Sequence, residues 1–177
     1  MVAKSLIKLI DEAIIPAVAL IVGKMTGLAL AIYILGLPAT IITGGVLKFL
    51  PSVHFTNLAD YILAENYSNL AMFVVAALGT IFVLVRAHFF HESHIHPRLQ
   101  AKLARLNLET LIAPSYHLYH QAIIWLTFLW LTVVFLVLST ILDITYPVIS
   151  AIAFIVAANF SVLFAMDIEK EIEINRT

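Results

Sequence analysis

Four long apolar runs constrain this chain more than any other feature of its sequence. They cover residues 13–35, 68–90, 117–142 and 147–166, and each is about as long as the ~20 apolar residues that a helix needs to cross a bilayer. A backbone in lipid has no water to bond to, so a spanning segment of this kind is helical. The sequence therefore predicts an all-α fold, a polytopic membrane helix bundle with four transmembrane helices.

The overall composition agrees with a single integral membrane domain over residues 1–177. Hydrophobic residues make up 62% of the chain, against roughly 45–50% in a soluble domain. The net charge of -1 offers no basic excess for binding nucleic acid. The absence of cysteine excludes disulfides, zinc–thiolate sites and thiol catalysis.

The first apolar run is too long for the core of a signal peptide. It has 23 residues, whereas a signal-peptide core has roughly 7–15 and is followed by small residues at a cleavage site. Its one charged residue, Lys24, lies eleven residues from either end of the run. We expect this side chain to face the bundle interior, either as a titratable or anion-attracting site or bonded to carbonyls or to Asn159.

The segment between the first two spans is apolar but too short to cross a membrane. Residues 37–50, with Gly44 and Gly45 inside them, are expected to continue the first helix past a kink or to form a re-entrant or interfacial segment. Residues 52–69 place several apolar side chains at helical spacing, which predicts a short helix lying on the surface.

The linker between the second and third spans has a basic face and an apolar face. Over residues 97–113, Arg98, Lys102 and Arg105 follow helical spacing, with leucines near the opposite face. This pattern predicts a basic amphipathic helix that lies along the cytoplasmic leaflet with anionic lipids as its partners. Three basic residues are a poor track for the phosphates of nucleic acid.

The distribution of basic residues predicts the orientation. Four spans put both termini and the linker between the second and third spans on one side of the membrane, and eight basic residues fall there against one, Lys48, on the other side. Such an excess marks the cytoplasmic side, so both termini are expected in the cytoplasm. The eight residues are Lys4, Lys8, Arg86, Arg98, Lys102, Arg105, Lys170 and Arg176.

Six of the seven histidines lie in or beside this linker. Two pairs have a spacing of three residues, which places each pair on one helix face, at the end of the second span and the start of the third. If these helices pack as antiparallel neighbours, the pairs meet at one membrane surface and could bind a transition metal ion such as zinc or iron. The predicted ligands are His88, His91, Glu92, His117 and His120.

Two other interpretations of these histidines stay open. The imidazole rings could pack on apolar surface at the interface while one nitrogen reaches water. They could also act as a proton relay or a pH sensor, since imidazole changes charge near neutral pH.

The sequence favours a small membrane transporter or channel. Polar residues at membrane depth are costly and mark ion or substrate paths, so Lys24 and Asn159 are the predicted pathway residues, and the histidines form a cytoplasmic mouth that binds a metal or protons. A charged Lys24 lining the path would oppose cations. Four spans enclose little space, so a homo-oligomer is expected.

Two further functions are compatible with the same residues. One is a membrane-embedded, metal-dependent enzyme that acts on lipid-like substrates at the cytoplasmic interface, with Glu92 or Glu109 as general base. The other is a structural subunit of a membrane complex, since no motif in the chain specifies a reaction.

Overall fold

The computed structural model describes residues 2–43, 51–90 and 95–174, and within these ranges the fold is all-α. Four of the described helices are long and apolar enough to cross a membrane by length and composition, so the prediction of a four-helix membrane bundle is confirmed. The helices are α1 (Val2–Leu35), α2 (Leu58–Phe89), α3 (Pro97–Arg105), α4 (Ser115–Ile141) and α5 (Pro147–Ile174).

Helix α2 begins well before the predicted second span. The side chain of Asn57 accepts a hydrogen bond from the backbone N–H of Ala59 at 3.0 Å, which caps the helix at its first turn. The short surface helix predicted over residues 52–69 is therefore wrong, because residues 58–69 are the beginning of α2. The polar residues that suggested a surface, among them Glu65 and Asn69, lie on a helix of the bundle.

The segment after α1 forms an antiparallel pair of strands. Strand β1 (Ala39–Thr43) pairs with β2 (Pro51–Phe55), and residues 44–50 between them lie outside the described ranges. The expected continuation of the first helix is wrong, because α1 ends at Leu35. Pairing of the strands satisfies backbone groups that an isolated apolar segment would leave without partners.

The linker helix is shorter than predicted. Helix α3 ends at Arg105, and Asn107 has a φ of 54°, a left-handed conformation that asparagine adopts more readily than most residues. A 3-10 turn, Glu109–Leu111, follows. The helix predicted over residues 97–113 is thus one helix and a separate turn.

Helices α2 and α4 pack against each other at the centre of the bundle, with α1 in one groove of this pair and α5 in the other. We call the two ends of the bundle the α2–α4 end and the α4–α5 end, after the connection that each contains. A hydrophobic core cluster lies where α2, α4 and α5 meet. Its buried members are Met72, Phe73, Ala76, Leu129, Val133, Leu136, Ala153 and Ala157.

Only residues 143–146 separate the third and fourth predicted spans, which predicts a tight antiparallel hairpin. The structure confirms this connection between α4 and α5, and hydrogen bonds fasten it to α2. The side-chain oxygen of Asn66 accepts a hydrogen bond from the backbone N–H of Tyr146 at 2.7 Å, and its NH₂ group donates to the carbonyl oxygen of Ile144 at 3.0 Å. Asn66 is almost fully buried, so these bonds satisfy an amide that would otherwise be costly to bury.

Helix α1 approaches α2 closely because two glycines face it. A Cβ atom at Gly27 would lie 2.4 Å from the Cβ of Ala71, and one at Gly23 would lie 2.8 Å from Cγ2 of Val75. Small residues four apart allow membrane helices to pack this tightly. Lys24 follows Gly23 directly, so the close packing holds Lys24 beside α2.

We expect Gly27→Ala to lower the free energy of unfolding by about 1–3 kcal/mol, the usual cost of overpacking, because its Cβ would overlap Ala71. The double variant Gly27→Ala/Ala71→Gly returns the space and should recover part of this loss. Thermal unfolding of the purified protein in detergent, followed by circular dichroism, measures both. A single variant as stable as the wild type would contradict the close approach.

Candidate functional site

A carboxylate on α1 lies between two imidazoles of α4 at the α2–α4 end. Oε1 of Glu12 is 3.4 Å from Nδ1 of His117, and Oε2 is 3.3 Å from Nε2 of His120. The Glu12 side chain is only 12% exposed, and the ring of Tyr116 is stacked on that of His120 at 6.1 Å. We call Glu12, His117 and His120 the Glu12 cluster.

A hydrogen-bonded chain continues from this cluster to α2. Nη1 of Arg86 donates to Oε1 of Gln121 at 3.3 Å, and Nε2 of Gln121 lies 3.3 Å from Nε2 of His117. A guanidinium group can only donate, so the amide oxygen must face Arg86 and the amide NH₂ must face His117. Neutral His117 then carries its proton on Nδ1, the nitrogen that faces Glu12.

Arg86 also holds the connection that follows α2. Its Nε donates to the carbonyl oxygen of Leu111 at 2.8 Å, and Nη2 donates to that of Thr110 at 3.0 Å. In the sequence, Arg86 was one of the eight basic residues that predicted the orientation of the chain in the membrane. The structure adds that its guanidinium fixes the entry into α4, and with it the position of the histidines there.

The predicted metal ligands divide between the two grooves. His88 donates from Nδ1 to Oδ1 of Asp167 on α5 at 2.6 Å, whereas His117 and His120 face Glu12 on α1. His91 and Glu92 lie outside the described residues. Among residues 2–43, 51–90 and 95–174, no group of three or more His, Asp or Glu side chains is arranged to hold a metal ion.

A second charged cluster lies towards the α4–α5 end of the same helix. Nζ of Lys24 lies 2.5 Å from Oε2 of Glu65 and donates to Oδ1 of Asn69 at 2.7 Å. Asn69 in turn donates to the hydroxyl of Thr145 at 2.7 Å. The ammonium group also lies 5.3 Å from the ring centroid of Phe135. We call Lys24, Glu65 and Asn69 the Lys24 cluster.

The position of Lys24 differs from the one expected. It faces a neighbouring helix, as the sequence predicted, but Asn69 links it to the connection between α4 and α5. Its ammonium therefore lies near one end of the bundle instead of at the middle. The physical reason is that α2 starts early enough to bring Glu65 alongside α1.

The structure does not bring Lys24 and Asn159 together. Asn159 is exposed on α5, and its side chain donates to the carbonyl oxygen of Ile155 in its own helix at 2.7 Å. Glu109 is exposed on the 3-10 turn and is not part of either cluster. Of the two predicted pathway residues, Lys24 alone has a charged partner on another helix in the described part of the chain.

Several site residues were missed in the sequence because their partners are distant along the chain. Glu12 lies one residue before the predicted first span, Glu65 three residues before the second, and Asp167 one residue after the fourth. The apolar runs therefore gave no reason to place these residues inside the bundle. The signal that could have found them is a helical pattern that continues beyond each apolar run, because it would have placed these residues on the same helices.

Comparison of the chain with protein-family models, with curated proteins and with solved structures gives no significant match.

We expect Lys24→Met to lower the free energy of unfolding by about 1–3 kcal/mol, because Glu65 would lose its partner among apolar helices. The double variant Lys24→Met/Glu65→Gln removes both charges and should recover most of this loss. Thermal unfolding in detergent tests the pair. A double variant less stable than Lys24→Met would contradict the ion pair.

Proposed function

We propose that this protein conducts protons across the membrane along the groove that α1 occupies, with the Glu12 cluster as the proton-binding mouth. One observation supports the proposal above all: a carboxylate of one membrane-length helix lies between two imidazoles of another. Ionisable groups on such helices are costly and mark proton relays and ion paths.

The Glu12 cluster can take up protons one at a time. With both histidines neutral its net charge is -1, with one imidazolium it is zero, and with two it is +1. Imidazole changes charge near neutral pH, and the carboxylate offsets the charge of one imidazolium. The cluster can therefore hold a proton without net charge, which lowers the cost of carrying it among apolar helices.

The hydrogen bonds around this cluster decide which ring nitrogen can take up a proton. Gln121 donates to Nε2 of His117 and so holds the Nδ1 proton of that ring towards Glu12. Because Nε2 of His117 is already engaged, an incoming proton is taken up on Nδ1 of His120, which then passes its Nε2 proton to the carboxylate and is left neutral. Arg86 only orients Gln121, because a guanidinium does not give up its proton near neutral pH.

The far end of the path is electrically neutral. Glu12 and Lys24 are twelve residues apart on α1, or ~18 Å of helix, and Glu65 balances the charge of Lys24. This pairing removes the electrostatic barrier that a lone lysine would set against a cation. Between the clusters, Leu20 of α1 packs against the apolar core that contains Leu129, and such a layer conducts only when water enters it.

Proton flux into proteoliposomes tests this function. Vesicles loaded with potassium and a pH-sensitive dye receive valinomycin, which sets an inside-negative potential. We expect faster internal acidification with the wild-type protein than in empty vesicles, and an at least tenfold slower rate with Glu12→Gln. Glu109→Gln is the matched control, because the same change is made at an exposed residue outside the cluster, and it should keep the wild-type rate.

Two outcomes would overturn the proposal. Wild-type vesicles that acidify no faster than empty ones would exclude proton conduction. A Glu12→Gln protein that conducts at the wild-type rate would exclude the Glu12 cluster as the mouth. Circular dichroism of the reconstituted Glu12→Gln protein shows whether a loss of flux occurs in a folded chain.

We further propose that the α2–α4 end faces the cytoplasm and that α3 rests on anionic lipid there. Arg98, Lys102 and Arg105 are exposed on α3, whereas Leu103 of the same helix is buried. Exposed basic residues beside a membrane helix are attracted to anionic headgroups by about 1 kcal/mol each.

Cysteine labelling tests the orientation, since the natural chain has no cysteine. We expect Glu109→Cys, at the α2–α4 end, to react with a membrane-impermeant maleimide in inside-out vesicles and not in intact cells. Thr56→Cys, in the exposed bend before α2 at the opposite end, is the matched control and should react in intact cells. The reverse pattern would place the termini outside.

A further inference from the structure

An apolar cavity of about 720 Å³ lies between α2 and α5, in the groove that α1 does not occupy. Its volume falls within the roughly 300–1,000 Å³ of sites that hold small molecules. Most of its wall is aliphatic or aromatic, from residues that include Ile81, Leu84, Val85, Phe160, Leu163 and Phe164.

The cavity changes from apolar to charged along its length. On α2, Ile81 lies seven residues before His88, and on α5, Phe160 lies seven residues before Asp167. The apolar wall therefore begins ~10 Å from the His88–Asp167 pair along the two helices. Beyond Asp167 on α5 the lining consists of Glu169, Lys170 and Glu173. A molecule that fills this space must itself be amphiphilic.

The charged end of the cavity is held in place by all the helices around it. His88 of α2 bonds to Asp167 of α5 at 2.6 Å. The ring of Tyr119 of α4 packs against Phe164 in the cavity wall, with centroids 6.0 Å apart. The boundary between the apolar and charged parts is therefore fixed by contacts among three helices.

The charge of this end selects the headgroup. Three carboxylates and one lysine line it. Asp167 is bonded to His88, so Glu169 and Glu173 are the remaining acidic groups of the lining, beside Lys170. Two carboxylates attract an ammonium group, and the lysine attracts a phosphate. A headgroup with a net negative charge meets a surplus of like charge.

We propose that this cavity binds a phospholipid with an ethanolamine headgroup. One acyl chain lies against the apolar wall, the phosphate meets Lys170, and the primary ammonium donates hydrogen bonds to Glu169 and Glu173. Choline fits less well because its quaternary nitrogen has no N–H to donate. The proposal is independent of proton conduction, since it concerns the other groove of the bundle.

Native mass spectrometry of the full chain in detergent tests the binding. The protein is titrated with phosphatidylethanolamine, phosphatidylcholine and phosphatidylglycerol that carry the same two oleoyl chains. We expect one phosphatidylethanolamine per chain, bound at least tenfold more tightly than either of the other lipids. Equal binding of the three, or a preference for phosphatidylglycerol, would overturn the proposal.

Two variants locate the bound lipid. Leu163→Trp fills the apolar wall and should weaken binding of phosphatidylethanolamine at least tenfold, whereas Leu138→Trp, made at a leucine of equal exposure (55%) on α4, should leave it unchanged. Glu173→Gln should reduce the preference over phosphatidylcholine without abolishing binding. Binding unaffected by Leu163→Trp, or a preference unaffected by Glu173→Gln, would mean that the lipid binds elsewhere or by another headgroup contact.

Discussion

The structure depends on the need to pair charges that lie on apolar helices. Helix α1 carries Glu12 and Lys24, and each of them meets side chains from another helix, His117 and His120 in one case and Glu65 in the other. An unpaired charge there would cost several kcal/mol. These two clusters, at different levels of the bundle, therefore fix both the rotation and the register of a helix that is otherwise mostly exposed.

The division of the bundle into two grooves separates two kinds of chemistry. The groove of α1 contains Glu12 and the imidazoles of α4. The groove of α5 contains an apolar cavity, with the His88–Asp167 pair in its lining. Histidines that lie close together in sequence thus face different partners. Arg86 and Gln121 connect α2 with α4 at this end, so the same pair of helices borders both grooves.

The features of the bundle that depend on neighbouring residues in the chain could be predicted from the sequence. Long apolar runs identified four spanning helices, and the few residues between the last two required a tight hairpin, which the structure confirms. The beginning of α2 and the strands around residues 39–55 were not predictable in this way. Asn66 and Glu65 resemble a surface segment until the backbone of Tyr146 and the ammonium of Lys24 are placed beside them.

The sequence alone determined that this chain is an all-α membrane bundle with histidines gathered near the connection of two spans, because hydropathy and helix length depend on neighbouring residues. The tertiary structure decided which charges pair, because pairing depends on how helices rotate and approach. Gly23 and Gly27 bring α1 against α2, and that contact gives Lys24 its partner. No pattern within a single helix contains this information.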